Sequence, residues 1–403
     1  MGNASAKNKY HNSHKYTSQY SLSDLIGGSC VGLTQPSNGN ARPWSHSSHR
    51  SWSEGTLYDK LDSSKTLWPV SRMQSMFLPE FEIRHISRPD DYTFVNVIQK
   101  GSFGKVYKIK QKGTGQPFAL KVMSKAKIIA ESGVMQAKQE VAIQKLVGHH
   151  PFILNCCYKW QGRRKVYIMS DYVSGGELYD LVAQYGCLPE DVVRIYVAEV
   201  AIAIDFLHDA GVVHRDIKAT NILLDGKGHA VLIDFGFAKW LTRSERTRTI
   251  CGTTQYMAPE IVKRTYYGQE VDWWSLGVLC CFLLLDQVRL YVSHINSLLP
   301  SSDGGLGYTP PILLSNEAES LSPAAKDLLK RLLQPDPRLR LRSVRALQKI
   351  AFYLGRNLQS YLLKKESPFE LLGKSADSQS KPMTQEFSDF DSAVESSFLQ
   401  ADW

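Results

Sequence analysis

The chain has 403 residues, of which 43% are hydrophobic and 22% charged, and it carries a formal net charge of +9. That length and balance exclude a wholly disordered chain, a collagen-like fibre and a small disulfide scaffold, and predict one large or two small domains with tails. The positive excess suits acidic partners such as phosphates or anionic lipid, and a generic basic surface accounts for it equally well.

Residues 1 to about 65 are rich in Ser, Asn, His, Gly and Thr and show no apolar periodicity. Such a segment buries too little surface to offset its ordering entropy, so it is read as disordered. Its histidines (His11, His14, His46, His49) are irregularly spaced and are read as solvated linker rather than metal ligands. The stretch 68–86, with Met76, Phe77, Leu78, Phe81 and Ile83, is more apolar and is a candidate docking segment for the domain that follows. Strands are predicted over 92–98, 105–109 and 118–123, with a glycine-containing turn between the first two. Residues 125–147 contain a helix in which Val134, Ala137, Val141 and Leu146 interleave with charge. Another strand is predicted over 165–169. Pro189 and Glu190 open a long amphipathic helix to about His208. Short strands follow over 212–214, 222–224 and 231–233, and beyond Glu260 the chain is helix-rich. Strands first and helices afterwards predict an α+β protein with two lobes. The last stretch, 374–403, is Ser- and acid-rich and reads as a tail.

The longest apolar run, around Leu276 to Leu285, falls well short of the roughly 20 residues that cross a bilayer, and the start has no signal-peptide core. A cytosolic chain is therefore expected. The seven cysteines include no C-x-x-C, so neither zinc nor a thioredoxin-like motif is supported, and reduced, mostly buried thiols are expected.

Four fragments carry chemistry. Lys100-Gly101-Ser102-Phe103-Gly104-Lys105-Val106 puts two glycines in a strand–turn–strand, where backbone N–H groups can approach an anion. Taken alone it is also an ordinary hairpin. Lys121 lies inside the apolar run Phe118-Ala119-Leu120 and needs a partner, either Glu140 on the predicted helix or phosphate oxygens. Val213-His214-Arg215-Asp216-Ile217-Lys218-Ala219-Thr220-Asn221 gathers an acid, two cations and an amide between apolar flanks. Its carboxylate can orient a hydroxyl and its amide oxygen can bind a hard metal. Ile233-Asp234-Phe235-Gly236 ends a strand with a potential Mg²⁺ ligand. In isolation the last two fragments are also compatible with turn chemistry.

Together and in this order the fragments resemble the protein-kinase signature set. Met257-Ala258-Pro259-Glu260, Asp272-Trp273-Trp274-Ser275-Leu276-Gly277 and Asp336-Pro337 with Arg340 agree with it. The resemblance covers roughly residues 92–353, preceded by an N-terminal segment 1–91 and followed by a tail 354–403. It implies a bilobal fold, with a small mainly β lobe bearing one helix and a large mainly α lobe. Thr247-Arg248-Thr249-Ile250-Cys251-Gly252-Thr253 and Ser174-Gly175-Gly176-Glu177 resemble the AGC group, which includes the cAMP-dependent and ribosomal S6 kinases. The Phe77-Leu78-Pro79-Glu80-Phe81 lead-in and the Phe387-Ser388-Asp389-Phe390-Asp391 tail support the ribosomal S6 kinase side.

The resemblance implies transfer of the ATP γ-phosphoryl group to protein Ser or Thr, by positioning and charge neutralisation. It gives Asp216 the substrate hydroxyl proton, Lys218 the γ-phosphate and Thr253 a bond to Asp216. Lys121, held by Glu140, takes the α/β-phosphates, and Asn221 and Asp234 hold Mg²⁺. The implied nucleotide site takes Ile98, Gln99, Lys100, Gly101, Ser102, Phe103, Gly104, Lys105 and Val106 from the first hairpin. Ala119, Ser170 at the gatekeeper position, the hinge Asp171 to Val173, Glu177 and Leu223 complete it. Thr247 takes the activation-loop phosphorylation position, with Arg215 to pair its phosphate and an upstream kinase to add it.

Several positions depart from the pattern. Gln99 stands for the first loop glycine. Gln144 stands where an apolar residue touches the Asp-Phe-Gly phenylalanine, unless a one-residue shift puts Ile143 there. Thr254 replaces a proline, and from 283 to about 321 the pattern fades. Glu177 is kept for reading an upstream Arg, while Thr220 and Phe282 replace two other acids. Phe387 and Phe390 match either a hydrophobic motif docking on the small lobe or an ATP-proximal tail segment. Met1-Gly2-Asn3-Ala4-Ser5-Ala6-Lys7 resembles a myristoylation start, with Lys7, Lys9 and Lys15 as a second, electrostatic membrane signal. The rival to an active enzyme is a non-catalytic binding or scaffold module on the same fold. No basic, aromatic-interleaved platform for nucleic acid is evident.

Overall fold

The computed structural model describes residues 70–83, 91–101, 103–285 and 320–373. The expectations for the first 65 residues, Gly2, Ser102, the faded stretch beyond 285, Phe387 and Phe390 lie outside the described residues.

The small lobe is an antiparallel sheet in the order β1-β2-β3-β5-β4. Its strands are β1 (Tyr92–Lys100), β2 (Gly104–Gln111), β3 (Pro117–Ser124), β4 (Cys156–Gln161) and β5 (Lys165–Asp171). The period of two along β3 decides what it presents. Phe118, Leu120 and Val122 are buried in an aromatic-rich cluster with Tyr107, Trp160 and Tyr167, which leaves Ala119 and Lys121 on the opposite face. That opposite face is where helices α2 (Lys125–Ala130) and α3 (Val134–Val147) pack. Buried positions Ala137, Glu140, Val141 and Gln144 recur at three and four residues along α3, so a carboxylate travels inside the apolar stripe. A short helix α1 (Arg72–Ser75) lies ahead of the sheet in sequence.

The large lobe is built on α4 (Leu178–Tyr185), α5 (Glu190–Asp209), α6 (Pro259–Val262), α7 (Glu270–Leu285), α8 (Pro323–Leu332) and α9 (Val344–Leu347). Helix α7 is apolar nearly all round, and its Trp273 and Trp274 are fully buried, which makes it the core helix against which α5 and α8 pack. Two small antiparallel pairs carry the loops: β6 (Val212–Val213) with β9 (Lys239–Trp240), and β7 (Ile222–Leu224) with β8 (Ala230–Leu232). The chain then returns through α10 (Pro368–Leu371) onto the β7–β8 turn, where Lys364 Nζ lies 3.0 Å from Asp225 Oδ2 and Ser367 donates to the Lys227 carbonyl.

The predicted strands and the long helix are present with their ends moved by a residue or two. Strand β4 was not foreseen from Cys156-Cys157-Tyr158-Lys159-Trp160-Gln161, whose exposure does not alternate cleanly. The six described cysteines are free, and only Cys280 is fully buried, so the expectation of mostly buried thiols is corrected. No helix among the described residues is long and apolar enough to cross a membrane.

Candidate active site

The loop between β6 and β7 is held from below by one carboxylate. Asp272, fully buried on α7, accepts from the His214 and Arg215 amides at 2.9 and 2.8 Å and from His208 Nε2 at 2.8 Å. Burial pushes its carboxyl up, and the bonds from His208 and the loop more than offset that, holding it below the usual carboxylate range. The loop backbone bends sharply here: Arg215 takes φ 68°. His214 Nε2 lies 3.1 Å from the Ile233 carbonyl, and its ring meets Phe235 edge-on at 5.1 Å.

Asp216 follows, 3% exposed. Its Oδ1 accepts from the Thr253 amide at 2.9 Å and the Thr253 hydroxyl at 2.8 Å. Its Oδ2 accepts from Asn221 Nδ2 at 2.9 Å and Lys218 Nζ at 2.8 Å. Lys218 also donates to Thr253 Oγ1 at 2.7 Å. Burial alone would raise the Asp216 carboxyl, and Lys218 and Thr253 outweigh it and keep the group ionised below its ordinary value. Thr253 comes this close because Gly252 has φ 97° and no side chain; a Cβ there would sit 2.4 Å from the Arg215 carbonyl oxygen.

Asn221 donates from Nδ2 to both the Asp216 carbonyl and its carboxylate, which leaves the amide oxygen as an acceptor. Asp234, exposed and at φ 61°, takes the Gly236 amide on Oδ1 at 3.1 Å. A carboxylate and an amide oxygen are the donor types that a hard divalent cation prefers, so these residues fit Mg²⁺.

From the small lobe, Lys121 Nζ reaches Glu140 Oε1 at 2.6 Å. Burial would lower the ammonium, and Glu140 and Asp234 together raise it above the ordinary lysine value, so the cation faces both carboxylates. Two further α3 side chains grip the segment after Asp234: Gln136 Nε2 donates to the Gly236 carbonyl at 2.7 Å and Gln139 Nε2 to the Ala238 carbonyl at 3.2 Å. Sequence reasoning missed both glutamines, since a polar residue on a helix gives no sign of a loop a hundred positions away.

The residues expected to face a nucleotide base line an apolar wall. Val106, Ala119 and Leu223 are each half-buried, and Ser170, 7% exposed, pairs directly with Ala119 across the sheet. Leu223 is brought under the hinge by pairing of β7 with the segment before α4: Gly175 N donates to the Leu224 carbonyl at 2.7 Å, and Glu177 bridges Leu223. Asp171 ends β5 and accepts from the Cys157 thiol at 3.2 Å; Val173 beyond it is half-buried. The Glu177 carboxyl is pushed up to about 6 by desolvation and by Asp180, against Lys218. At the glycine turn, Gly101 N closes on the Gly104 carbonyl at 2.8 Å, and a Cβ on Gly104 would fall 1.8 Å from the Val122 oxygen. Ile98, Gln99 and Lys100 are exposed along the end of β1, with Lys105 half-buried opposite. Phe103 turns its ring into the α3 cluster, near Gly133, so the side chain packs behind the turn.

The protein kinase domain family matches residues 92–352. The chain belongs to the protein kinase family. It is 37% identical over 343 residues to the human ribosomal protein S6 kinase-related protein, covering 82% of this chain and 79% of that one. It is 37% identical over 264 residues to the Arabidopsis thaliana serine/threonine-protein kinase AtPK2/AtPK19, covering 65% and 54%. It is 36% identical over 267 residues to the RAC family serine/threonine-protein kinase homolog of Dictyostelium discoideum, covering 65% and 58%. The chain thus spans little more than half the length of the plant and Dictyostelium relatives. The plant and Dictyostelium relatives are serine/threonine kinases by name, and nothing among the three favours the non-catalytic alternative.

Other kinase features are in place. Arg340 forms a buried two-pronged pair with Glu260 at 2.7 and 3.0 Å, tying the activation segment to the large lobe. Ile143 lies in the same apolar cluster as Phe235, while Gln144 donates to the Leu154 carbonyl at 3.3 Å. The polar residue therefore stays hydrogen-bonded, and an aliphatic neighbour serves the core. Without a phosphate, the Thr247 and Arg215 side chains take other partners. Backbone pairing of Thr247 with Tyr267 turns the threonine inward to 6% exposure, with its hydroxyl 2.9 Å from Lys239 Nζ and 3.3 Å from Thr249. The Arg215 guanidinium donates instead to the Phe237 carbonyl and to Tyr267 Oη. Thr249 is exposed.

Proposed function

We infer that this kinase transfers the γ-phosphoryl group of ATP to serine or threonine hydroxyls of proteins. The observation that carries the reading is the Asp216 network: an ionised, buried carboxylate with Lys218, Thr253 and Asn221 in hydrogen-bond contact. Asp216 receives the acceptor hydroxyl, orients it and takes its proton as the new P–O bond forms. Lys218 and Thr253 hold the carboxylate in place, and Lys218 adds positive charge next to the transferred group. Lys121, kept cationic by Glu140, holds the other phosphates, while Val106, Ala119 and Leu223 enclose the base. Asn221 and Asp234 would hold a divalent cation, which would supply positive charge against the phosphates. Phosphotransfer measured with Mg²⁺ and ATP tests the reading, with wild type active and Asp234→Ala reduced at least about 100-fold; an inactive wild type that also fails to bind nucleotide overturns it.

The proposal extends to the acceptor and to control. Phe282 is 5% exposed and stacks on Tyr179 at 5.7 Å, so an aromatic pair fills a position where basophilic relatives carry an acid. Glu177 remains, and an acceptor with one upstream Arg is therefore favoured over one with two. Exposed Thr249 takes the activation phosphate in place of Thr247, with Lys239 nearby as a cation. Cytosolic residence and acylation at Gly2, with the early lysines as the second membrane signal, complete the proposal; a myristoyl mass increment after eukaryotic expression checks it.

A further inference from the structure

Helix α3 has little of its own to fix its position. Its N-cap is Gly133, with no side-chain cap bond, and its first turn carries no acid. Its placement is therefore set by what packs on it. On the inner side it hands Glu140 to Lys121. On the outer side it is held by the segment ahead of the sheet.

That segment, residues 71–83, opens with α1, capped reciprocally by Ser71 and Gln74. Phe77 and Phe81 then enter the small lobe with no exposed surface, their rings edge-on at 6.1 Å. They share a cluster with Met123 of β3, Ile128 of α2, Ala137 and Val141 of α3, and Val166 and Ile168 of β5. Polar ties flank the aromatic pair. Lys138, two residues before Glu140 on α3, pairs with Glu80 at 2.8 Å and donates to the Leu78 carbonyl. Gln161 at the end of β4 donates from Nε2 to the Gln74 and Phe81 carbonyls at 3.1 and 2.8 Å, and its amide donates to the Glu82 carbonyl at 2.8 Å. The segment thus grips α3 and β4 at once.

We propose that residues 71–83 are a positioning brace for phosphoryl transfer: Phe77, Phe81 and Glu80 hold α3 at the angle where Glu140 meets Lys121. The inference rests on the kinase reading. Removing the brace shifts α3 toward conformers in which Lys121 loses its partner, and turnover falls with the fraction of aligned molecules. Nucleotide binding, which also draws on the adenine wall and the hinge, changes less.

The test uses the full-length chain, with ADP release measured under Mg²⁺, ATP and histone, below the variants' melting temperatures. The Phe77→Ala/Phe81→Ala double variant is expected to lose about tenfold in kcat, with KM for ATP changed by less than about threefold. Backbone hydrogen exchange in α3 should quicken while that in α5 does not, and a synthetic peptide of residues 70–83 should restore kcat. A folded double variant with wild-type kcat overturns the proposal. So does a loss that the peptide does not restore and that comes with equal quickening of exchange in α3 and α5, which marks general destabilisation. If the double variant does not fold, Glu80→Gln and Lys138→Met decide. They spare the aromatic cluster, and each should lower kcat about threefold and quicken exchange in α3; wild-type kcat and exchange in both overturn the proposal. An inactive wild type would count against the kinase reading alone, because α3 exchange reports on the brace without turnover.

Discussion

Asp216, in the large lobe, is 3% exposed and bonded by Thr253, Asn221 and Lys218, with the loop beneath it anchored on Asp272. Lys121, in the small lobe, has a 34% exposed side chain and one carboxylate in contact, carried by a separate helix. The first arrangement is assembled with the core of its lobe. The second depends on where a strand and a helix stand relative to each other. In this kinase the Asp216 network is thus built into the large lobe, whereas the Lys121–Glu140 pair forms only where a strand and a helix of the small lobe meet.

Breaking the anchored side should cost the fold. Asp272→Ala leaves the buried His214 and Arg215 amides and His208 without their acceptor, so unfolding free energy should fall by about 2–4 kcal/mol, read as a lower melting temperature with activity lost alongside. Breaking the adjustable side should cost alignment instead. Glu140→Gln keeps the shape and removes the charge, so kcat should fall roughly 10- to 100-fold, while stability changes by less than about 1 kcal/mol because the Lys121 side chain is partly in water.

The smallest effect sharpens the comparison within the small lobe. Lys125 is fully buried beside the Phe77 ring, its amine bonded to the neutral Gln161 Oε1 at 2.6 Å and Gly162 carbonyl at 2.8 Å, and desolvation pulls it down to about 7. In the unfolded chain the same amine stays protonated to about 10.4. Between those values the unfolded state binds the extra proton, so stability should rise with pH by up to about 1.4 kcal/mol per unit. Urea midpoints at pH 7 and 9 should show that rise in the wild type, and Lys125→Met should flatten it.

Most of the sheet, the long helices and the grouping of Lys121, Asp216 and Asn221 as candidate site residues were legible because each rests on short-range information. Lys121 announces itself as a charge in an apolar strand, and Asp216 and Asn221 sit within one loop. What was not legible depends on distant placement. Both Thr247 and Thr249 meet Tyr267, but only the first pairs with it along the backbone and turns its side chain inward, which no local pattern encodes. Phe103 belongs to the glycine turn in sequence, yet its ring packs toward α3. Ile143 and Gln144 are both buried, and only the nearby Leu154 carbonyl shows how the amide is satisfied.

The thiol that ties β4 to the hinge also bears on chemical labelling. Cys157 packs against the aromatic cluster of the sheet and donates to Asp171, and desolvation together with that carboxylate pushes the thiol up to about 12, with Cys156 at about 11. Reagents that need a thiolate will find little to capture at Cys156 or Cys157 at neutral pH. Among the described cysteines the exposed one is Cys187, in the α4–α5 turn on the far side of the hinge segment in sequence, and it offers the natural attachment point for a reporter dye.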